Sequence, residues 1–232
     1  MEEADIQQHR NDGPLHNELP VYPTHPYSPA LCAQLSEIPE AFSEIAVGGN
    51  LSTQIIGIIV DFSATTTEAT TTNQAHVDQT NHRQSGKPGR NSTQLLTDLQ
   101  RLATLQTTPI EHLLCHALIG YCFLLYYPGE MGPLFTGTLE TLRDAFVEYN
   151  AQSEVVDRDC FIWMAMVIEA SLQTSEMVRT KGVVLNDILD KYVEVRNWDR
   201  LESILRRFLW NDVLMQNWKA CWATVMERRQ ST

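Results

Sequence analysis

Two histidines, His112 and His116, come closest to a metal-binding spacing in this chain of 232 residues. Residues four apart share one face of a helix, so both imidazoles could bind a single ion. However, a zinc hydrolase needs a glutamate directly after the first histidine as its base, and this position is a leucine. The other five histidines lie within residues 1–82. We therefore interpret the pair as histidines at the edge of a core, with metal binding as the alternative.

Other patterns that would indicate catalysis or a cofactor are missing from the sequence. There is no glycine-rich phosphate loop, no Gly-x-Ser-x-Gly elbow and no dinucleotide fingerprint. Cys115 and His116 are neighbours in a predicted helix and do not face each other, so they cannot form a nucleophile and base pair. We expect a protein that is not an enzyme and that holds no cofactor.

The cysteines and the apolar stretches predict a reduced, intracellular protein. The cysteine count is odd and no Cys-x-x-Cys pair occurs, which argues against both a disulfide framework and a structural zinc site. Residues 1–20 are polar and acidic and lack the apolar run of a secretory signal. The longest apolar stretch, residues 117–127, is interpreted as too short to span a bilayer. The five cysteines are Cys32, Cys115, Cys122, Cys160 and Cys221.

The net charge of −12 opposes direct binding to nucleic acid or to anionic membranes. From Arg196 onward, seven basic residues stand against four acidic ones, so that end carries +3 and the rest −15. A basic end could meet an acidic partner, but charged helix faces are more often simply solvated. We expect no sequence-specific binding of duplex DNA by this chain.

The chain divides into four segments by composition. Residues 1–30 are acidic and hold five prolines, which fix φ and remove donors, so we expect an extended or disordered lead-in. Residues 31–62 are apolar and predict short N-terminal helices, which Pro39 divides. Residues 63–94 are rich in threonine, asparagine and glutamine and cannot offset the entropy of ordering, so we expect a disordered, dispensable insert. Residues 95–228 predict the main helical domain.

Within the main domain, capping residues and apolar periodicity predict a series of helices. Thr108-Pro109-Ile110-Glu111 combines a cap, a proline at the first helical position and the glutamate of a capping box. Two of the helices, which begin near Thr108 and Asp157, are apolar on nearly every face and need partners on all sides. This predicts a layered all-α domain. Further helices are predicted from about residue 95, from Thr138, from Val183 to Val195, from Asn197, and from Asn211 or Asp212. The prolines and glycines of residues 128–137 predict a loop.

The segment from Leu51 to Phe62 has two interpretations. Four isoleucines and a valine favour a strand by propensity. Asn50 or Ser52 could equally cap a helix. The residues alone leave both structures open.

The C-terminal part concentrates four of the five tryptophans between residues 198 and 222. Their spacing places them on the inner faces of two successive helices, so we expect an aromatic core. The alternative is that an exposed tryptophan anchors a partner. We favour a structural role for Trp222, whose replacement by alanine is then expected to impair folding. The residues concerned are Trp198, Leu201, Leu205, Phe208, Trp210, Trp218 and Trp222.

Four segments of the sequence resemble the fungal-specific transcription factor domain, which lies C-terminal to a binuclear zinc cluster in fungal regulators. Residues 198–210, with the order W-x-x-L-x-x-I-L-R-R-F-L-W, and residues 218–222, W-K-A-C-W, resemble its closing pattern. Residues 39–46 with Leu51 and Ser52, residues 117–121, and residues 159–166 around Trp163 resemble earlier parts. Two features depart from the family pattern: the zinc cluster is absent, and Ala41 replaces a glycine.

The resemblance implies a regulatory domain of the nucleus that acts through protein partners or a small-molecule effector. It also implies a helix at residues 51–62. Because the zinc cluster is the part of the family that reads DNA, no direct DNA binding follows from the resemblance. The second interpretation is a helical protein-interaction module outside transcription, and a third is an unrecognised enzyme.

Overall fold

The computed structural model of the chain describes residues 19–72, 91–127, 143–144, 146–147, 157–174 and 181–231. These residues contain no β-strand, which confirms the predicted all-α fold. Nine α-helices lie within them: α1 (Pro29–Glu37), α2 (Glu40–Val47), α3 (Thr53–Thr72), α4 (Ser92–Ala103), α5 (Pro109–Tyr126), α6 (Arg158–Thr174), α7 (Val183–Lys191), α8 (Trp198–Leu205) and α9 (Asp212–Gln230). A 3₁₀ helix, Val193–Arg196, connects α7 to α8.

Side-chain caps fix where the helices of the main domain begin, as the sequence predicted. Thr108 accepts the N–H of Glu111 at α5, and Asp157 accepts the N–H of Cys160 at α6. Each cap satisfies a backbone donor that has no partner inside the helix. Asn197 and Asn211 do the same at α8 and α9.

The N-terminal boundaries differ from the predicted ones. Residues 53–62 are helical: Ser52 Oγ accepts the N–H of Ile55, so α3 begins at a capped end. Helix α3 continues to Thr72 and α4 begins at Ser92, so both enter the segment predicted as a disordered insert. Residues 73–90 of that segment lie outside the described residues. So do residues 1–18 of the predicted lead-in, whose described part shows no helix before Pro29.

The helix predicted from Val183 to Val195 is interrupted. Helix α7 ends at Lys191, and the 3₁₀ helix follows a break at Tyr192, whose φ of −123° and ψ of 87° are not helical. The Arg196 guanidinium donates to the carbonyl of Leu189 at the end of α7. The predicted loop at residues 128–137 lies outside the described residues, as does most of the helix predicted from Thr138, where residues 143–144 and 146–147 are helical.

Helices α5 and α6 form the centre of the domain. Helix α6 contacts α5, α7, α8 and α9, while α4 covers the other side of α5. Helix α5 extends the apolar stretch of residues 117–127 back to Pro109, and the whole helix is long and apolar enough to cross a membrane by length and composition. In this fold 72% of it is buried. It serves as a core helix here.

The central pair is closely packed at Gly120. A Cβ added to Gly120 would lie 2.7 Å from Ser171 Oγ on α6, and this hydroxyl donates to the carbonyl of Val167. Glycine therefore allows α5 and α6 to approach each other. By contrast, an added Cβ at Gly57 in α3 would contact nothing within 4 Å.

These two glycines predict opposite responses to alanine. Gly57→Ala is expected to stabilise the chain by about 0.5–1 kcal/mol, since glycine inside a helix costs that much relative to alanine. Gly120→Ala gains the same propensity but displaces Ser171, so its free energy of unfolding should fall. Urea denaturation measures both, and Ser171→Ala should relieve the loss at Gly120. Equal shifts in the two alanine variants would contradict the close approach.

Candidate functional site

Five aromatic rings from distant parts of the chain meet at the centre of the fold. We call them the aromatic cluster: Phe42 of α2, Tyr121 of α5, Trp163 of α6, Phe208, and Trp218 of α9, all at most 2% exposed. Phe42 lies 5.0 Å from Phe208 and 5.4 Å from Trp163, between ring centroids. Tyr121 lies 6.0 Å from Trp163 and 6.5 Å from Trp218. The cluster therefore joins both ends of the described chain.

Two polar atoms of the aromatic cluster are buried without a partner among the described residues. These are the hydroxyl of Tyr121 and Nε1 of Trp218. Burial raises the pKa of Tyr121, which keeps its hydroxyl protonated. Trp163, in contrast, donates its Nε1–H to the carbonyl of Leu209 at 3.3 Å. Unpaired atoms of this kind are places at which a buried water or a polar ligand group can bind.

The structure brings the predicted tryptophan faces together across the turn between α8 and α9. Trp198 lies 5.7 Å from Trp222, and Trp210 lies 5.8 Å from Trp218. Leu201 and Leu205 are fully buried on the same face of α8. The Trp222 ring is half-buried, and its Nε1–H donates to the carbonyl of Val195 at 3.1 Å.

Arg207 ties three elements together beside the aromatic cluster. Its guanidinium lies 2.7 Å from the carboxylate of Asp159 in α6 and 2.8 Å from that of Glu44 in α2. Its carbonyl accepts the N–H of Ala41 at 3.4 Å. A residue of the α8–α9 turn thus positions the N-terminal helix α2 against α6.

Arginines of the basic C-terminal part form ion pairs on helix faces that remain largely exposed. Arg229 contacts Asp190 and the side-chain oxygen of Asn186 in α7. Arg206 pairs with Glu202 at 2.7 Å and lies over the ring of Trp210. These ion pairs neutralise positive charge that could otherwise bind a polyanion.

An open groove of about 840 Å³ lies along the 3₁₀ helix and the solvent face of α8. Val193, which is 61% exposed, supplies its apolar surface. The other lining residues are polar, with two acids and two arginines. No pattern in the sequence predicted this groove, because it depends on the break in the helix at Tyr192. The lining residues are Val193, Glu194, Arg196, Asn197, Asp199, Arg200 and Ser203.

His112 and His116 lie side by side on α5, and both are half-buried. Their Nε2 atoms are 3.2 Å apart and their rings are nearly perpendicular. Burial, and to a lesser extent the charge of His112, lowers the pKa of His116 to about 4, so this imidazole is neutral at pH 7. Among the described residues, no group of three or more histidine, cysteine, aspartate or glutamate side chains could hold a metal ion.

Glu111 acts differently from the capping box that the sequence predicted. Its carboxylate is fully buried and accepts the N–H and the hydroxyl of Ser52, at 2.8 and 2.6 Å. The N–H of Thr108, which a capping-box glutamate would bind, donates instead to the hydroxyl of Tyr22 at 2.9 Å. Glu111 therefore secures the start of α3, and the lead-in completes the start of α5. Burial raises the pKa of Glu111, while its bonds to Ser52 oppose the rise.

A second buried glutamate, which the sequence analysis missed, caps another helix. Glu169 of α6 accepts the N–H of Gly182 at 2.5 Å, directly before α7. Gly182 has φ of 92° and no side chain to cap the helix itself. Burial raises the pKa of Glu169, and the backbone N–H groups of Gly182, Leu185 and Val184 act against this rise. The feature of the sequence that could have indicated this role is an acidic residue within an otherwise apolar helix.

The cysteines are free, and four of the five are buried. Burial raises the pKa of Cys122 to about 12, so its thiol is not ionised at neutral pH. Cys32 is exposed. The arrangement gives no activated thiolate in the buried positions.

No family model matches this chain, and neither a curated protein nor a solved structure matches it.

Proposed function

We propose that this chain is a transcription-regulator-like effector domain that acts by binding a protein or small-molecule partner and has no DNA-binding module of its own. The observation that carries the proposal is the aromatic cluster. Phe42, Tyr121 and Trp163 come from three of the segments that resemble the fungal-specific transcription factor domain. Phe208 and Trp218 come from the fourth. The segments of the resemblance thus form one centre.

Arg207 supports the same assignment. It belongs to the closing segment and pairs with Glu44 and Asp159, which belong to two of the other segments. The closing segment thus contacts two of the other segments through charged as well as apolar side chains.

A partner other than DNA is favoured by charge. The net charge is −12, and C-terminal arginines such as Arg229 and Arg206 already pair with acidic residues of the fold. We place the partner in the groove beside Val193, which lies on the solvent face of the signature helix α8. Residence in the nucleus follows from this function.

A tethering assay tests the proposal. The full chain is joined to an unrelated DNA-binding domain in a fungal host, and transcription of a reporter is compared with that of the DNA-binding domain alone. We expect a several-fold change in the reporter. The untethered chain should not retard duplex DNA in a gel at physiological salt. An unchanged reporter, with the chain folded and expressed, would contradict a transcriptional role and favour an interaction module outside transcription.

Two matched variants test the groove. Val193→Asp changes the apolar lining residue, and Val213→Asp changes a valine of α9 that is 70% exposed and outside the groove. Both should keep the helical circular dichroism spectrum, and only Val193→Asp should reduce the reporter change. Equal effects of the two variants would exclude the groove as the partner surface.

A further inference from the structure

We propose that His112 and His116 bind one divalent transition-metal ion, of the Cu(II), Ni(II) or Zn(II) class, as a two-nitrogen chelate on α5. This inference does not depend on the proposed function. It rests on the distance between two ring nitrogens and on where the helix places them. Both histidines are half-buried, so an ion can reach them while the rest of α5 stays in the core.

The separation of the two nitrogens fits a shared ion. The Nε2 atoms lie 3.2 Å apart. If each forms a bond of about 2.0–2.1 Å to the same metal, the angle at the metal is about 100°, close to the tetrahedral value of about 109°. The two nitrogens therefore already lie at the separation that a shared ion requires. A spacing of four residues on a rigid helix supplies this preorganisation.

Without metal, one Nε2–H donates to the other Nε2, which accounts for the same short distance. On binding, that proton must leave the shared position. It moves to Nδ1 of the same ring, so two neutral imidazoles take up the ion with no net proton release. The ion thus replaces a single hydrogen bond with two coordinate bonds.

Two protein ligands leave the other coordination positions to water. In the described part of the chain, no histidine, cysteine or carboxylate lies where it could serve as a third ligand beside this pair. The neighbouring carboxylate, Glu111, is hydrogen-bonded to Ser52. An open site of this kind should be weaker than a closed structural zinc site. The Irving–Williams order then predicts that Cu(II) binds more tightly than Ni(II) or Zn(II).

The test uses the full chain without a polyhistidine tag. Isothermal titration with Cu(II), together with the electron paramagnetic resonance spectrum, should show one ion coupled to two imidazole nitrogens. His112→Gln and His116→Gln should each weaken binding at least tenfold. The matched control is His25→Gln, an exposed histidine of the described lead-in, which should leave this affinity unchanged.

Thermal unfolding separates loss of the site from loss of the fold. Metal should raise the melting temperature of the native chain, because a ligand that binds only the folded state stabilises it. Each glutamine variant should melt cooperatively without metal and show no such rise. A variant that carries both His112→Gln and His116→Gln would overturn the proposal if it bound Cu(II) undiminished and kept the two-nitrogen spectrum. If one variant fails to fold, the other alone decides the outcome. None of these measurements involves the reporter assay.

Discussion

Trp218→Ala should abolish cooperative folding of the chain. The Trp218 side chain is fully buried, and its ring contacts Tyr121 of α5 and Trp210 of the α8–α9 turn. Cutting a buried tryptophan to alanine typically costs about 3–5 kcal/mol, which is a large part of the roughly 5–15 kcal/mol that holds a domain folded. We expect a shallow thermal transition and aggregation on expression.

Trp222→Ala should lower stability less than Trp218→Ala does. The ring is half-buried, and the change removes its contact with Trp198 and its hydrogen bond to Val195. The loss should be real but smaller than that of Trp218, since less surface leaves the core. Urea unfolding of both variants measures which one loses more free energy of unfolding. If Trp222→Ala kept native stability and lost only partner binding, Trp222 would be an interface anchor and its structural role would be refuted.

Glu169→Ala should strongly lower the free energy of unfolding. It leaves the N–H of Gly182 without its acceptor at the start of α7, inside the protein. An unpaired buried donor costs roughly 1–3 kcal/mol, and the cavity left by the side chain adds to this. Hydrogen exchange should show that the amides of α7 lose protection first, because the damage begins at its N-terminus.

Glu169→Gln keeps the shape of the side chain and an acceptor oxygen, so it is the matched control. It also replaces the titratable carboxyl group with an amide that does not titrate. Because burial raises the pKa of Glu169, its protonation contributes stability that is complete below the ordinary glutamate pKa and is lost as the pH rises through the raised value. The free energy of unfolding of the native chain should therefore fall more steeply with rising pH than that of Glu169→Gln. Parallel pH profiles would contradict the shifted pKa.

Local signals in the sequence predicted the helices of the main domain well. Thr108, Asp157, Asn197 and Asn211 lie at helix starts because their side chains bind backbone donors within three residues. Such bonds need no information from the rest of the fold. The all-round apolar character of α5 and α6 likewise predicted their central position, since a helix without a polar face must be covered on every side.

Long-range bonds explain what the sequence left open. Glu111 looked like a capping-box residue, but its partner, Ser52, is 59 residues away and competes successfully for the carboxylate. The partner of Glu169, the N–H of Gly182, likewise lies beyond the helix to which Glu169 belongs. Local propensity similarly could not choose between strand and helix for residues 51–62, where burial against other helices decides. The histidine pair was visible in the sequence, but its 3.2 Å nitrogen separation was not.

The placement of α2 has a consequence for synthesis on the ribosome. Glu44 binds a guanidinium 163 residues further along the chain, and Phe42 packs on Phe208. Part of the apolar surface of α2 therefore lacks its native cover until Phe208 has been translated, long after α2 itself. At about 5–20 residues per second, this interval lasts many seconds, during which the exposed apolar surface of the nascent chain can aggregate.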